Sequence, residues 1–232
     1  KKLCEENNIE IIIGQASNLN LQIKSNGSQE EIGRKLRRHF FKELCTKLSI
    51  DYVALAHHQQ DQQETFFIRL LRGTTLNGLT AMKEVDGIYI RPLLKASKKE
   101  ILDYLAKHKI TYLTDHTNES DEYLRNRIRK YVIPAMLKSD SRFDQKFDST
   151  LNRLKEEDDF LHELMLEAYK TIGDLHLFKK LRPVIQKRLV PYWLTQEQVA
   201  FSPSNQYINE VLKFLNSNRG GSHQLHTSWI LK

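Results

Sequence analysis

Two cysteines, Cys4 and Cys45, are all that this 232-residue sequence contains. They form neither a disulfide framework nor a metal-knuckle spacing, so both are read as reduced, structural thiols. Long apolar runs are also missing: nothing approaches the roughly 18 consecutive apolar residues that cross a bilayer, which excludes a helical membrane protein and any membrane partner of that kind. Lys1 to Glu10 lack the apolar core of a signal peptide, and the cytoplasm follows as the default compartment. There is no internal repeat and no low-complexity tract. At 40% hydrophobic residues the chain can nevertheless bury one ordinary core and a smaller second one, so one to two domains are expected.

Acidic residues are in the minority, 29 against 36 Lys and Arg, for a formal charge of +7. The surplus is clustered. Arg34, Lys35, Arg37 and Arg38 form one group, Arg125, Arg127, Arg129 and Lys130 a second, and Lys179, Lys180, Arg182, Lys187 and Arg188 a third. Any one of them is adequately explained as a solvated helix face; three together favour a polyanionic partner.

Hydrophobic periodicity alternates between two periods along the chain. Ile11, Ile12 and Ile13 are a short β-branched run that predicts a buried strand near residues 10–16. Ser28 and Glu31 have capping-box spacing, and Ile32, Leu36, Phe40, Leu44 and Leu48 then recur every fourth residue on one helix face. A second apolar run, Tyr52 to Ala56, precedes a helix over residues 61–71 that Gly73 stops; Ile88 to Ile90 predict a third strand ending before Pro92, and Ser97 with Glu100 starts the next helix. Strands alternating with helices call for a parallel sheet with crossover helices, an α/β domain. Residues 147–172 predict one long connecting helix whose Glu156 to Asp159 run forms a solvated face, followed by helices near 175–194 and 204–215 and a short C-terminal strand.

In an open parallel sheet, ligands sit beyond the carboxyl ends of the strands, the place taken by His57, His58, Asp61 and Glu64. Asp61 and Glu64 also have the spacing of an N-cap and its capping-box partner, which explains both carboxylates without any ligand. A metal site from these four side chains matches no familiar zinc spacing, and no metal ligands are assigned.

The run Leu55 to Thr65, Leu-Ala-His-His-Gln-Gln-Asp-Gln-Gln-Glu-Thr, followed by Leu-Leu-Arg-Gly at 70–73, resembles the His-His-x-Asp-Asp-Gln-x-Glu-Thr signature and Leu-Leu-Arg-Gly loop of the tRNA(Ile)-lysidine synthetases, members of the PP-loop ATP-pyrophosphatases. Further matches follow in order: Arg91 to Leu94 to the family's Arg-Pro-Leu-Leu, Asp115, Thr117 and Asn118 to its Asp-x-Thr-Asn, and Arg125 to Arg129 to its Arg-Asn-Arg-Ile-Arg. Five ordered motifs are far more specific than one. The resemblance is good over residues 28–137 and fainter over 177–231.

It implies a Rossmann-like parallel-sheet domain of the adenine nucleotide alpha hydrolase type over 1–140, incomplete at its N-terminus, a connector helix over 141–174, and a small helical tRNA-binding domain over 175–232. It further implies ATP with Mg2+, free L-lysine and a tRNA(Ile) with a CAU anticodon: ATP adenylates the C2 oxygen of the wobble cytidine with release of pyrophosphate, and the lysine ε-amine then displaces AMP at that carbon to give lysidine. By the same resemblance Asp61 and Glu64 contact the lysine amines, His57 lies beside the adenylate, Arg37 approaches the target nucleotide, Asp115 and Asn118 shape the pocket mouth, and Arg125 and Arg129 meet the phosphates. A homo-oligomer is compatible with it. Two departures stand out. Gln60 replaces the first aspartate of the family's pair, which puts that carboxylate's contacts in question, and the Ser-Gly-Gly-x-Asp-Ser loop that would cradle ATP phosphates is not in this sequence, so these residues alone are not expected to catalyse the reaction. The rival readings are a sister PP-loop enzyme such as a tRNA thiolase, for which Cys4 and Cys45 are too far apart to act as a pair, and a non-catalytic nucleic-acid-binding protein.

Overall fold

A capping box opens one helix in full. The Ser97 hydroxyl accepts from the Glu100 N–H, and the Glu100 carboxylate accepts from the Ser97 N–H, which ties down two of the donors a helix start leaves without partners. In the computed structural model, which describes residues 2–15, 29–113, 121–199, 201, 204–217, 220–226 and 228–231, that helix is α5 (Lys98–Lys107), preceded in the chain by α1 (Lys2–Glu6), α2 (Gln29–Leu48), β1 (Val53–Ala54), α3 (Gln59–Arg72), α4 (Leu76–Leu79), β2 (Val85–Asp86) and β3 (Tyr89–Ile90). After it come α6 (Leu124–Arg127), a five-residue π-helical stretch (Ile128–Val132), α7 (Ile133–Ser139), α8 (Phe143–Thr171), α9 (Leu175–Lys180), α10 (Pro183–Gln196), α11 (Asn205–Asn216), β4 (His223–His226) and β5 (Trp229–Leu231).

The chain divides into two compact units, residues 1–63 with 82–117 and residues 64–81 with 118–232, so that the division falls inside α3 between Gln63 and Glu64. In the first unit a three-stranded sheet runs in the order β1-β3-β2, with β1 parallel to β3 and β2 antiparallel to it. The Val53 N–H donates to Ile88 and the Leu55 N–H to Ile90, the slanted ladder of a parallel pair. Arg38 lies over the Tyr89 ring at 5.3 Å, and Phe41 meets the same ring edge-on. The strand expected near 10–16 is not formed over its described residues: Ile11 to Ile13 are irregular and Ile13 is 75% exposed. No described strand pairs with them, and a β-branched run without a ladder partner gains nothing from an extended conformation.

The second unit is built on helix packing. Phe66, Phe67, Phe143 and Phe147 form one aromatic cluster. A larger core collects Met165, Phe178, Ile185, Leu189, Val190, Leu194, Val211, Leu212 and Leu225 from α8, α9, α10, α11 and β4. Asp174 caps α9 and Ser204 caps α11, each accepting from a backbone N–H three residues on. No helix among the described residues is long and apolar enough to cross a membrane. The capping box expected at Ser28 lies outside the described residues.

Candidate active site

At the carboxyl end of β1, His57 and His58 lead directly into α3, and the helix start is secured three ways. The Gln59 N–H donates to the Ala96 carbonyl (3.0 Å), the Gln60 N–H donates to His58 Nδ1 (3.2 Å), and the His58 N–H donates to Asp61 Oδ2 (3.0 Å). His58 is therefore the N-cap and Asp61 the residue three positions in that closes back on it. The expected cap at Asp61 with Glu64 as its partner is three residues out of register. Asp61 Oδ2 also lies 3.5 Å from His58 Nε2, and its side chain keeps 16% exposure.

One turn further along, in the second unit, Glu64 has no exposed surface at all. Arg125 Nε donates to its Oε2 (2.6 Å), Arg129 Nε donates to its Oε1 (2.6 Å), and Arg129 Nη2 donates to Oε2 (3.1 Å). Bonds between ionised partners are the strong ones, and Arg129 engages both carboxylate oxygens through its planar fork. The two arginines stand four residues apart, on α6 and in the π-helical stretch, where the Ile133 N–H reaches back five residues to the Ile128 carbonyl. Their side chains are 33% and 30% exposed, so each guanidinium grips a buried anion while part of its side chain stays accessible.

The remaining motif residues hold the chain around these elements. Gln62 forms a two-way bond with the Met82 backbone: its Oε1 accepts from the N–H at 2.9 Å and its Nε2 donates to the carbonyl at 3.0 Å. Arg91, almost fully buried, donates to the Lys83 carbonyl and lies 3.6 Å from Asp86. Arg69 donates to the Gly78 and Ala81 carbonyls, closing the loop after α3. That loop needs glycine twice, since Gly73 has φ +70 and a Cβ on Gly78 would fall 1.8 Å from the Thr74 hydroxyl.

Residues 1–136 match the model of the PP-loop domain. The chain belongs to the PP-loop domain family. Among curated proteins it is similar to the tRNA(Ile)-lysidine synthase of Clostridium perfringens strain 13, 38% identical over 66% of this chain and 32% of that protein. It is likewise similar to the synthase of Bacillus subtilis, 38% identical over 59% and 30%, and to that of Francisella philomiragia, 31% identical over 98% and 56%. The chain thus spans from 30% to 56% of the length of these relatives. Among solved structures, the U34-tRNA thiolase NcsA of Methanococcus maripaludis with its [4Fe-4S] cluster shares the fold, with a TM-score of 0.53 at 19% identity over 67% of this chain and 54% of that one.

Within this PP-loop domain Arg37 is exposed on α2 and His57 is half-buried, while Asp115 and Asn118 lie outside the described residues. Just past them, Asp121 accepts from the Tyr131 hydroxyl and from Lys130, and those bonds hold its carboxyl below the ordinary aspartate value. Among the described residues no group of three or more His, Cys, Asp or Glu side chains could hold a metal ion. Two residues carry more than their sequence context suggested. Gln62 stood in plain view as the signature's own glutamine. Asp158, expected on a solvated face, is buried, accepting from Arg188 Nη2 (2.6 Å) and Asn77 Nδ2 (2.9 Å); nothing local distinguishes it from its neighbours in the Glu-Glu-Asp-Asp run.

Proposed function

We propose that this protein forms lysidine, ligating free L-lysine to C2 of the wobble cytidine of a CAU-anticodon tRNA(Ile) at the expense of ATP. The observation that carries the proposal is the position of the His-His-Gln-Gln-Asp-Gln-Gln-Glu-Thr run at the carboxyl end of β1, the ligand end of a parallel pair, in a chain whose relatives are named tRNA(Ile)-lysidine synthases. ATP, when bound, supplies the adenylyl group that turns the C2 oxygen into a leaving group. Arg125 and Arg129 fit its phosphates: they are part-exposed, forked donors whose direction is already fixed. Magnesium enters as the counter-ion that ATP brings.

Asp61 is the carboxylate suited to a lysine ammonium, because it retains exposure while the helix start fixes its position. A cationic amine must be held and must also lose a proton before it attacks, and His57 is the neighbouring group able to take that proton. Arg37 and the basic face of α2 suit the backbone around an unstacked cytidine, and Asp115 and Asn118 are assigned to the rim of the pocket. The 175–232 segment is assigned to tRNA binding.

The test is incorporation of labelled lysine, with ATP, into a tRNA(Ile) transcript with a CAU anticodon, using protein made from the complete reading frame. Incorporation that disappears when the wobble cytidine becomes uridine is expected. Tight, salt-sensitive tRNA binding without incorporation would overturn the assignment in favour of a binding protein or a sister enzyme with another nucleophile.

A further inference from the structure

Within the second unit the π-helical stretch Ile128–Val132 is tied by two acids. Arg129, inside it, donates to Glu64. The two positions that follow are held by Asp121: its Oδ2 accepts from the Tyr131 hydroxyl at 2.5 Å, and its two oxygens accept from Lys130 Nζ at 3.0 and 3.3 Å. Arg127, just before the stretch, completes the tie, its Nη1 donating to the carbonyls of Asp121 and Glu122 at 2.9 and 3.0 Å. The four cations of the cluster are thus sorted in pairs. Arg125 and Arg129 go to Glu64, while Arg127 and Lys130 go to the short segment at Asp121.

Stability is a poor account of the second pair. Lys130 and Asp121 keep 52% and 46% of their side-chain surface exposed, and an ion pair in that setting contributes little. What the contacts supply is direction. A π-helical turn is rare and occurs mostly as a single widened turn at functional sites; without outside ties the ladder reverts to the commoner pattern. Reversion would turn the residues on either side of the widening against each other by about 100°, one residue's worth of helix, and Arg129 would lose its fixed aim. Residues two apart on a helix do not share a side, so Asp121 grips Tyr131 without competing for the side on which Arg129 meets Glu64. From this geometry we infer that Asp121 is a positioning residue for the proposed reaction: through Arg127, Lys130 and Tyr131 it holds the widened turn that keeps Arg129 on Glu64. This rests on the lysidine-forming proposal above and on Arg129 belonging to that site.

The test asks whether Asp121 acts through Arg129. In protein made from the complete reading frame, lysine incorporation into the CAU transcript is measured for Asp121→Ala, for Arg129→Lys and for the two together. Asp121→Ala is expected to lower kcat by about tenfold or more, the scale on which misplaced groups act. Its KM for tRNA should stay within about twofold of the unmodified protein, and its thermal midpoint within about 4 °C. Asp121→Asn, which keeps an acceptor for Tyr131 and Lys130, is expected to recover part of the loss. In the double variant kcat should lie within about twofold of Arg129→Lys alone, because the fork that Asp121 positions is already gone. Losses that multiply in the double variant, or a kcat that Asp121→Ala leaves unchanged, would overturn the inference. Should Asp121→Ala fail to fold, Tyr131→Phe takes its place in the same cycle: non-multiplying losses support the inference, and multiplying or absent losses refute it. An unmodified protein that incorporates no lysine is a separate outcome, which brings down the proposed function and this inference with it.

Discussion

Replacing Asp158 by alanine is expected to cost far more than its place in an acidic run suggests. Its side chain is 7% exposed and that of its partner Arg188 is 17%. The mutation leaves a mostly buried guanidinium without its carboxylate, and breaking such a pair from one side costs about 3–5 kcal/mol, against about 0–1 kcal/mol for an exposed bridge. Because Arg188 keeps some access to water, the lower end, about 3 kcal/mol, is the expected value; the lost Asn77 bond belongs to the same network and does not add in full. For a protein of this size that corresponds to a fall of about 6–12 °C in thermal midpoint. Both tryptophans, Trp193 and Trp229, lie in the second unit, so their fluorescence during urea unfolding reports on the part of the chain that holds the network. The companion variant is Asp158→Leu with Arg188→Met, which removes both charges and is expected to recover most of the loss, since no uncompensated ion is left inside. A single-mutant cost under about 1 kcal/mol, or a double replacement no more stable than Asp158→Ala, would refute the account of Asp158 as a buried node.

Two further outcomes follow from the packing and the caps. Leu194, with no exposed surface at the centre of the helical core, should lose about 2–5 kcal/mol on truncation to alanine, read by the same tryptophan-monitored urea titration; a loss within the range of surface substitutions would mean that the core is misassigned. Glu100 is held below its ordinary 4.5 by the Ser97 hydroxyl and N–H, so the stability it contributes is present above that value and is lost as the pH falls through the lower folded value. Glu100→Gln should therefore be less stable than the unmodified protein at neutral pH and indistinguishable from it in strong acid, as measured by thermal midpoints across the acid range, and a gap that persists in acid would show that charge is not the cause.

What the sequence conveyed and what it withheld divide along the distance between partners. Ser97 with Glu100 acts within one turn, and local pattern finds it; Asp174 and Ser204 likewise cap helices through a backbone N–H three residues on. The parallel pair of β1 and β3 was legible because two short apolar runs flank helical periodicity. Asp158 was not, since its partners stand 30 and 81 residues away and only folding reveals that one acid of four turns inward. Ile11 to Ile13 failed for the opposite reason: the propensity is local, whereas the ladder that would realise it is not. The π-helical stretch after Arg127 has no sequence signal that periodicity detects.

The carboxylates at 61 and 64 mark the boundary between these cases, because a spacing of three residues fits a capping box in either register, His58 with Asp61 or Asp61 with Glu64. The two registers have different chemical consequences. With Asp61 as N-cap, Glu64 would stay at the solvated end of the helix and both acids would be interchangeable contacts for a cation. With His58 as N-cap, Asp61 closes the helix start and Glu64 falls one turn deeper, out of water, where an acid persists only if cations are brought to it. Arg125 and Arg129, more than 60 residues later in the sequence, are those cations. The two motifs that look independent along the chain, His-His-Gln-Gln-Asp-Gln-Gln-Glu-Thr and Arg-Asn-Arg-Ile-Arg, thus require one another physically: the second supplies the donors that the buried glutamate of the first needs, and the first supplies the acceptor on which two arginines of the second converge.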